Sequence, residues 1–438
     1  MKPTVLLVTT KNWVPTARLA VALGNAGFRV EALCPRQHPV HTTEAASRTY
    51  AYRGLAPLAA LARAIATAKP DLIVSGDDLA TEQLHELHRR REAYAGGSKE
   101  LGSLLGNVIE RSLGAPAAFA VAQARGAFMK LAREEGIRVP ETALLATGDD
   151  LGRWVERAGF PTVLKADGTS GGEGVRIVRT AVEAQSAFGQ LHSAPLLARA
   201  LKRALLDQDR TLLWPALSRR KPAVSAQDFI EGHEANSTVA CWKGDVLASL
   251  HFEVLRKSSA AGHATVVRSM ENPEMSAAVQ TMVRRMGLSG ICGFDFMLEA
   301  NTGNAYLIEI NPRATQVGHL ALGAGRDLPA ALWAAVTGHP SVAARAVTAN
   351  DTIALFPQEW ARDPQSEFLR SAYHDVPWGT PELVHACMRR SRQQSAWYGR
   401  GERGRGTALA PPSVKAAAAQ VGGAQTPPES AANRITAR

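Results

Sequence analysis

The first part of the chain alternates short apolar runs with longer amphipathic stretches. Runs at Thr4–Thr9, Phe28–Leu33 and Asp71–Ser75 predict strands, because a strand buried on both faces is apolar at consecutive positions. Between them, Pro15–Ala26 and Pro57–Ala68 carry apolar residues at helical spacing. Strands that alternate with helices are typical of a parallel sheet, so the pattern predicts an α/β unit over residues 1–115.

The third predicted strand leads into Gly76, Asp77 and Asp78, and the pattern then predicts a helix over Leu79–Tyr94. Ligands of parallel sheets bind at the carboxyl ends of strands, so Asp77 and Asp78 are candidates for facing a substrate. The alternative is a plain helix N-cap, and the sequence leaves both interpretations open. No GxGxxG spacing follows the first strand, which gives nicotinamide binding no support there.

The middle of the chain predicts a second, α+β unit over residues 116–340, with a smaller lobe at about 140–230. Its predicted helices are Ala117–Glu135, a short helix capped by Asp149 and Asp150 that ends at Gly159, Pro273–Met286 and Arg326–Val336. Its predicted strands are Phe160–Ala166, Gly174–Arg179, Gln227–Ile230, Ala235–Trp242, Val246–Leu255, Ile291–Leu298 and Ala305–Ile310. The helix-rich stretch His192–Lys221 has no firm assignment, and the fold class is α/β overall.

The remaining residues divide into a folded C-terminal extension at 341–400 and a basic tail at 401–438. Nine Lys or Arg and two acidic residues lie at 389–438, so most of the net charge of +10 belongs to this end of the chain. From Gly401 on there are no aromatic residues, and Gly, Ala and Pro dominate, which predicts disorder. A basic tail also allows nucleic-acid binding, but aromatic side chains that would stack on bases are not interleaved with the arginines.

Composition excludes several classes of protein. Apolar residues make up 45% and charged residues 21%, as in an ordinary globular protein, and no run of about 18 apolar residues predicts a membrane span. The apolar run Val5–Val8 is too short for a signal-peptide core. The four cysteines are far apart and form no CxxC pair, which disfavours disulfide scaffolds and metal clusters and indicates a reducing cytoplasm.

A predicted hairpin brings acidic residues together within apolar strands. Side chains alternate along a strand, so Glu309 and Asn311 point the same way. If the turn centres on Thr302, Asp295 lies opposite Glu309 on the same face. Two carboxylates and an amide oxygen suit Mg²⁺, whereas two buried acids without a cation would repel each other. The alternative is an edge hairpin whose acids face water.

A second candidate is the Gly-rich loop after the strand Phe160–Ala166. That strand delivers Lys165, and Gly171 and Gly172 belong to the four-glycine loop that follows. Backbone N–H groups without side chains around them can approach phosphate oxygens. The loop lacks the GK[ST] of a Walker motif, and alone it is equally typical of a flexible hairpin tip.

A third candidate is the segment Gln227-Asp228-Phe229-Ile230-Glu231-Gly232-His233-Glu234. A strand that ends in an apolar residue offers backbone groups to an adenine edge. The carboxylate of Glu234, seven residues after Gln227, is placed to hold ribose hydroxyls. The spacing alone is equally compatible with a strand and a turn.

In this order, the three segments resemble the ATP-grasp superfamily over about Ala117–Ala335. The resemblance implies a two-lobed ATP-grasp domain behind an N-terminal parallel-sheet domain, with ATP and Mg²⁺ (or Mn²⁺) as cofactors. The residues it implies for the nucleotide are Arg125, Lys165, Gly171, Gly172, Gln227, Asp228, Ile230 and Glu234. It implies Asp295, Glu309 and Asn311 as metal ligands, and Lys165 and Arg313 as catalytic, with Arg313 stabilising the transferred phosphate or a substrate carboxylate.

Arg rather than Lys at position 125 resembles the carbamoyl-phosphate synthetase and biotin carboxylase branch. Biotin carboxylases follow the metal strand with Gln-Val-Glu-His, whereas this chain has Gln316-Val317-Gly318-His319. The acid is missing, and no Met-Lys-Met biotin-attachment motif occurs. Both departures argue against carboxylase activity.

The resemblance implies an ATP-dependent ligase that converts a carboxylate into an acylphosphate for attack by an amine or another nucleophile. Small-molecule acids and amines are the expected partners, in the cytoplasm, without membrane or nucleic acid, and a homo-oligomer is compatible with the sequence. Two alternatives stay open: an ATP-binding regulatory protein without ligase activity, and an enzyme of the carbamoyl-phosphate or carboxylase type.

Overall fold

The computed structural model describes residues 2–167, 174–193, 222–259, 262–340 and 345–388. The N-terminal sheet is parallel throughout, in the order β3-β2-β1-β4. Its strands are β1 Thr4–Val8, β2 Arg29–Cys34, β3 Ala46–Ala51 and β4 Leu72–Ser75. The helices around it are α1 Val14–Asn25, α2 Pro57–Ala68, α3 Asp78–Arg89, α4 Arg91–Tyr94 and α5 Lys99–Leu113, with a 3₁₀ turn at Pro39–Thr42.

Strand β1 is buried on both faces, which explains its continuous apolar run. Val5 and Leu7 pack into the cluster that contains α1, whereas Leu6 and Val8 pack into the cluster that contains α2 and α5. The predicted parallel sheet is therefore confirmed. Strand β3 was not predicted, because it is an edge strand whose residues are mostly exposed and which lacks the apolar signature of a buried strand. Helix α5 was not predicted either, and the predicted helix Leu79–Tyr94 is interrupted at Arg90.

The predicted helix Ala117–Glu135 is not continuous. The chain forms a 3₁₀ turn at Pro116–Ala118, then α6 at Phe119–Gln123 and α7 at Arg125–Glu134. Ala124 adopts an extended conformation between the two helices. The break makes Arg125 the first residue of α7, at the side of the molecule where the acidic hairpin lies.

A smaller antiparallel sheet has the strand order β5-β8-β6-β7 in the described residues. Its strands are β5 Thr142–Leu145, β6 Thr162–Ala166, β7 Val175–Val178 and β8 Val224–Asp228, and its helices are α8 Gly148–Ala158 and α9 Ala181–His192. Thr147 caps α8, with Asp150 completing a capping box, so the predicted caps Asp149 and Asp150 lie within the first turn. Most of His192–Lys221 lies outside the described residues.

The largest sheet has the order β13-β12-β9-β10-β11-β14-β15. Its strands are β9 Gly232–Trp242, β10 Asp245–Lys257, β11 Ala264–Ser269, β12 Gly290–Glu299, β13 Ala305–Asn311, β14 Thr352–Leu355 and β15 Tyr373–Asp375. The accompanying helices are α10 Pro273–Met286, α11 Leu328–Thr337, α12 Gln358–Arg362 and α13 Phe368–Ser371, and residues 381–388 are also helical. Strands β14 and β15 come from the predicted C-terminal extension and extend this sheet.

The two faces of the large sheet have different roles. One face buries Phe294 and Phe296 of β12 against Phe128 of α7 and the apolar side of α10. The other face shares its core with the N-terminal sheet, because Leu250 and Phe252 of β10 belong to the same buried cluster as α1. Among the described residues, no helix is long and apolar enough to cross a bilayer. The mixed α/β class that the sequence predicts is confirmed.

A buried ion-pair cluster ties the C-terminal segment to the rest of the protein. Arg18 of α1 donates from both terminal nitrogens to the carboxylate of Asp375 in β15, at 2.6 Å for Nη2–Oδ1. His319, from the loop after β13, bonds the same carboxylate at 2.9 Å. Burial alone would raise the pKa of Asp375, but the Arg18 guanidinium and then His319 hold it at about 2. Residues from three distant parts of the chain therefore depend on one carboxylate.

We expect Asp375→Ala to destabilise the fold by about 3–5 kcal/mol, because it leaves the Arg18 guanidinium buried without its counter-ion. The midpoint of urea unfolding, followed by circular dichroism, measures the loss. Asp245→Ala, at the exposed first position of β10, is the control and should change stability by no more than about 0.5 kcal/mol. Equal midpoints for the Asp375 variant and the wild type would show that the cluster is not structural.

Candidate active site

The hairpin of β12 and β13 sets the geometry of the site. Asp295 pairs with Glu309 and Gly293 with Asn311, as a turn centred on Thr302 predicts. The register then shifts, and Phe296 pairs with Leu307. The amide of Asn311 donates to Asp295 Oδ2 at 2.8 Å, so both side chains lie on the same face of the sheet. The predicted metal ligands therefore lie on one face of the sheet, as the alternation of side chains along the two strands predicts.

The donor set fits a divalent cation. Burial and the neighbouring Glu309 carboxylate raise the pKa of Asp295 to about 7. Two carboxylates this close repel each other in the absence of compensating positive charge. Carboxylate and amide oxygens are ligands that Mg²⁺ accepts, while soft or imidazole ligands are not part of the set. Asp295, Glu309 and Asn311 are therefore the residues that would hold such an ion.

Two cations approach the same carboxylates from other elements. Arg125 donates to Glu309 Oε1 at 3.0 Å and lies 3.4 Å from Asp167 Oδ1, just beyond β6. Lys165 of β6 is 5% exposed and lies within electrostatic range of Glu309, Asp295 and Glu234. Burial, and then the Arg125 guanidinium, lower the pKa of Lys165 to about 8 against the opposing effect of the three acids. The predicted residues Arg125 and Lys165 thus lie beside the predicted metal ligands, although Arg125 is engaged by carboxylates.

Lys165 belongs to the open face of the small sheet. Cross-strand pairing places Val163, Ile177 and Gln227 on the same face, and the pair Leu144–Ser225 continues it. The opposite face, with Leu164 and Ala226, is covered by α8 and α9. On the open face Ile177 is 47% exposed and Leu144 is 69% exposed. A flat apolar surface beside a buried lysine is the kind of surface on which a nucleobase packs.

The predicted hinge differs from the expected strand. Strand β8 ends at Asp228, so Ile230 lies in the link to β9 rather than within a strand. Gln227 is buried, and its amide nitrogen donates to Thr142 Oγ1 at 3.0 Å. Glu234, on β9, accepts from Lys257 Nζ at 2.5 Å. The link therefore joins the small sheet to the strand that lies beside β12.

Other predicted site residues lie away from this group of carboxylates and cations, or outside the described part of the chain. Asp228 is at the end of β8, where burial and then Glu141 raise its pKa. Gly171 and Gly172 lie outside the described residues, so their contact with phosphate stays a prediction.

Arg313, which follows β13, connects the hairpin to the N-terminal sheet. Its Nε donates to Asp78 Oδ1 at 3.0 Å, Nη2 donates to Asn311 Oδ1 at 3.0 Å, and the Trp13 ring lies 5.8 Å from its Cζ. Backbone contacts fix the same junction, since Ala314 donates to the carbonyl of Ser75 at 2.8 Å. The carboxyl end of β4 therefore meets the end of the metal-ligand strand.

The two adjacent aspartates have different roles. Asp77 is the N-cap of α3 and also accepts from Thr9 and Thr10, which confirms the plain structural interpretation for this residue. Asp78 instead reaches Arg313, a contact across 235 positions that spacing does not encode. Two further residues near the site were not predicted: Trp13, and Asn236, which pairs with Asp295 across β9 and β12. An Asp-Asp pair after a strand is a signal, but it does not indicate which carboxylate faces the site.

Comparisons with known proteins bear on the fold that carries this site. A family model for the ATP-grasp domain matches residues 213–317, which contain the acidic hairpin. The biotin carboxylase domain dimer of Hydrogenobacter thermophilus 2-oxoglutarate carboxylase, solved with MgADP, ADP and bicarbonate, is 15% identical with a TM-score of 0.54, covering 79% of this chain and 72% of that chain. N5-carboxyaminoimidazole synthetase from Staphylococcus aureus is 16% identical with a TM-score of 0.53, covering 78% and 79%.

A third similar structure is N5-carboxyaminoimidazole synthase from Aspergillus clavatus, solved with ADP and 5-aminoimidazole ribonucleotide. It is 16% identical to this chain with a TM-score of 0.54, and the match covers 78% of each chain. At these identities the likeness establishes the arrangement of the sheets. Together with the matched family model, it shows that this protein carries an ATP-grasp domain behind an N-terminal parallel sheet.

Proposed function

We propose that the protein is an ATP- and Mg²⁺-dependent ligase, which activates a carboxylate as an acylphosphate and joins it to an amine or another nucleophile. One observation carries the proposal. Three oxygen donors on one hairpin lie near two cations from other elements, Lys165 and Arg125, and near a third cation, Arg313, which follows the hairpin. Phosphoryl transfer is catalysed mainly by positioning and charge neutralisation, and such a convergence supplies both. The ADP in the structures from Hydrogenobacter and Aspergillus supports the nucleotide assignment.

Each of these side chains has a separate role in the proposed reaction, set by its position. Asp295, Glu309 and Asn311 would hold Mg²⁺, which would supply positive charge to the phosphates of ATP. Lys165 and Arg125 lie where they neutralise further phosphate charge, and the open face of the small sheet receives the nucleobase. Arg313, on the side of the metal ligands that faces the N-terminal sheet, orients the carboxylate that attacks the γ-phosphate.

The loop after Arg313 supports a ligase over a carboxylase. Gly318 stands where biotin carboxylases have an acid. The polar side chains near it, Gln316 and His319, make hydrogen bonds to other parts of the protein. Gln316 donates to the carbonyl of Ala264 at 3.1 Å, and His319 bonds Asp375. The loop thus offers no carboxylate at this position for activating bicarbonate.

A screen of ADP release over amino acids, small carboxylic acids and amines, with mass spectrometry of the products, tests the proposed activity. We expect ADP release that requires both an acid and an amine, and a product whose mass equals the two minus water. ATP binding without ADP release across the panel would favour a regulatory nucleotide-binding protein instead.

We expect Glu309→Gln to reduce ADP release by about 100-fold or more, because it removes a charged ligand and one of the two carboxylates that Arg125 contacts. Circular dichroism should show an intact fold. Glu299→Gln, at the exposed end of the same hairpin, is the matched control and should retain wild-type turnover. Unchanged turnover in the Glu309 variant would contradict the metal assignment.

The pH dependence of ATP affinity tests the role of Lys165. Its pKa of about 8 in the free protein means that the ammonium is present below pH 8 and is lost as the pH rises. ATP affinity should therefore fall above pH 8, by up to about tenfold per pH unit, since binding then requires proton uptake. Isothermal titration calorimetry with a non-hydrolysable ATP analogue between pH 7 and 9.5 measures the fall. Lys165→Ala should bind weakly throughout and show no such fall, whereas the same slope in both proteins would exclude Lys165.

A further inference from the structure

An oppositely charged pair borders the metal ligands on the side of the N-terminal sheet. Asp78 and Arg313 are joined by one hydrogen bond of 3.0 Å, from Nε to Oδ1. The Arg313 side chain is 17% exposed and the Asp78 side chain 45% exposed. The guanidinium is therefore held in place, while the carboxylate is accessible beside it.

Both members of the pair have hydrogen-bonding capacity left among the described residues. Arg313 uses Nε for Asp78, one N–H of Nη1 for the carbonyl of Ala314 at 3.2 Å, and one N–H of Nη2 for Asn311. A guanidinium has five N–H donors, so one N–H remains on each terminal nitrogen. Asp78 uses Oδ1 and keeps Oδ2. Two donors for an anion thus lie beside one acceptor for a cation.

The surroundings restrict how a ligand approaches this pair. Trp13 places its ring 5.8 Å from the Arg313 Cζ and covers that side of the guanidinium. An anion therefore approaches in the plane of the guanidinium, where two parallel N–H···O bonds form to a carboxylate. Asp77, the other acid at this strand end, is buried and fully engaged by Thr9, Thr10 and Ala80. Asp78 is the carboxylate that remains for a cationic group.

We propose that the carboxylate activated at this site belongs to an α-amino acid, which Arg313 and Asp78 bind as a zwitterion. The proposal rests on the proposed ligase function and names its substrate class. The carboxylate of the amino acid binds the free N–H groups of Arg313, and its ammonium group binds Asp78 Oδ2. The two charges of an α-amino acid are separated by two bonds through one carbon, which matches a guanidinium and a carboxylate in direct contact.

The pair also determines which amine forms the new bond. A carboxylate oxygen of the amino acid forms a bond to the γ-phosphorus as the bond to the β-phosphate oxygen breaks, which releases ADP. The nucleophilic amine then displaces inorganic phosphate and loses a proton. Asp78 holds the α-amino group in its protonated form, which has no lone pair. The nucleophile is therefore the amine of a second molecule and not the α-amino group of the activated amino acid.

The experiment compares amino acids with their deaminated analogues in the coupled ADP-release assay, using the full-length protein and a panel of amines. For the amino acid that the wild type uses best, kcat/KM should exceed that of the α-hydroxy acid with the same side chain by about 100-fold. Asp78→Asn should reduce this ratio by about tenfold or more, mainly through the KM of the amino acid. Glu86→Gln, on the same helix and paired with Arg89, is the control and should keep the ratio.

The outcomes separate the substrate assignment from the ligase function. ADP release with other carboxylic acids and none with amino acids would overturn the zwitterion and leave the ligase intact. If Asp78→Asn lowers kcat/KM equally for amino acid and hydroxy acid, Asp78 only positions Arg313 and the proposal fails. A wild type that releases no ADP with any acid overturns the ligase function itself.

Discussion

The structure depends on holding two like charges together at one end of an apolar sheet. Asp295 and Glu309 lie directly opposite each other on antiparallel strands, and their repulsion is opposed by Arg125 and by the amide of Asn311. Such an arrangement is costly in a buried setting unless positive charge is provided. The surrounding lysine and arginines offset the repulsion between the two carboxylates. A divalent ion bound to their oxygens would offset it further.

The rest of the fold keeps this arrangement rigid. Phe294 and Phe296 fix the hairpin from the opposite face by packing against α7 and α10. The N-terminal sheet holds the end of the hairpin through the backbone contact between Ser75 and Ala314. Arg18 and Asp375 add the C-terminal segment to the same block. A site that binds a highly charged substrate needs such support, because its side chains must stay in place when the charge changes.

The sequence was sufficient for the parts of the site that are local. Alternation along two strands joined by a short turn determines which residues are opposite each other, so the Asp295–Glu309 pairing was predictable. The register shift beyond that pair was not, because one extra residue in a strand leaves no compositional trace. Contacts between distant elements were also beyond reach: no spacing rule joins Arg313 to Asp78 or Arg18 to Asp375. The edge strand Ala46–Ala51 was missed because exposed strands lack apolar patterning.

The residues of the candidate site come from several elements, so the site is complete only in the whole fold. The large sheet supplies the oxygen donors, the small sheet supplies Lys165, and helix α7 supplies Arg125. Trp13 and Asp78, which follow β1 and β4 of the N-terminal sheet, lie on the side where a substrate other than ATP would bind. We therefore expect the chemistry that is specific to this protein on the side of the site that faces the N-terminal sheet.

The most direct test of the account is the binding of Mn²⁺ in the presence of a non-hydrolysable ATP analogue, followed by electron paramagnetic resonance. The account predicts that the wild type binds Mn²⁺ together with the nucleotide, and that Asn311→Ala weakens Mn²⁺ binding by about tenfold or more. Equal Mn²⁺ affinity in the two proteins would contradict it, because the oxygens of this hairpin would then not be the ligands.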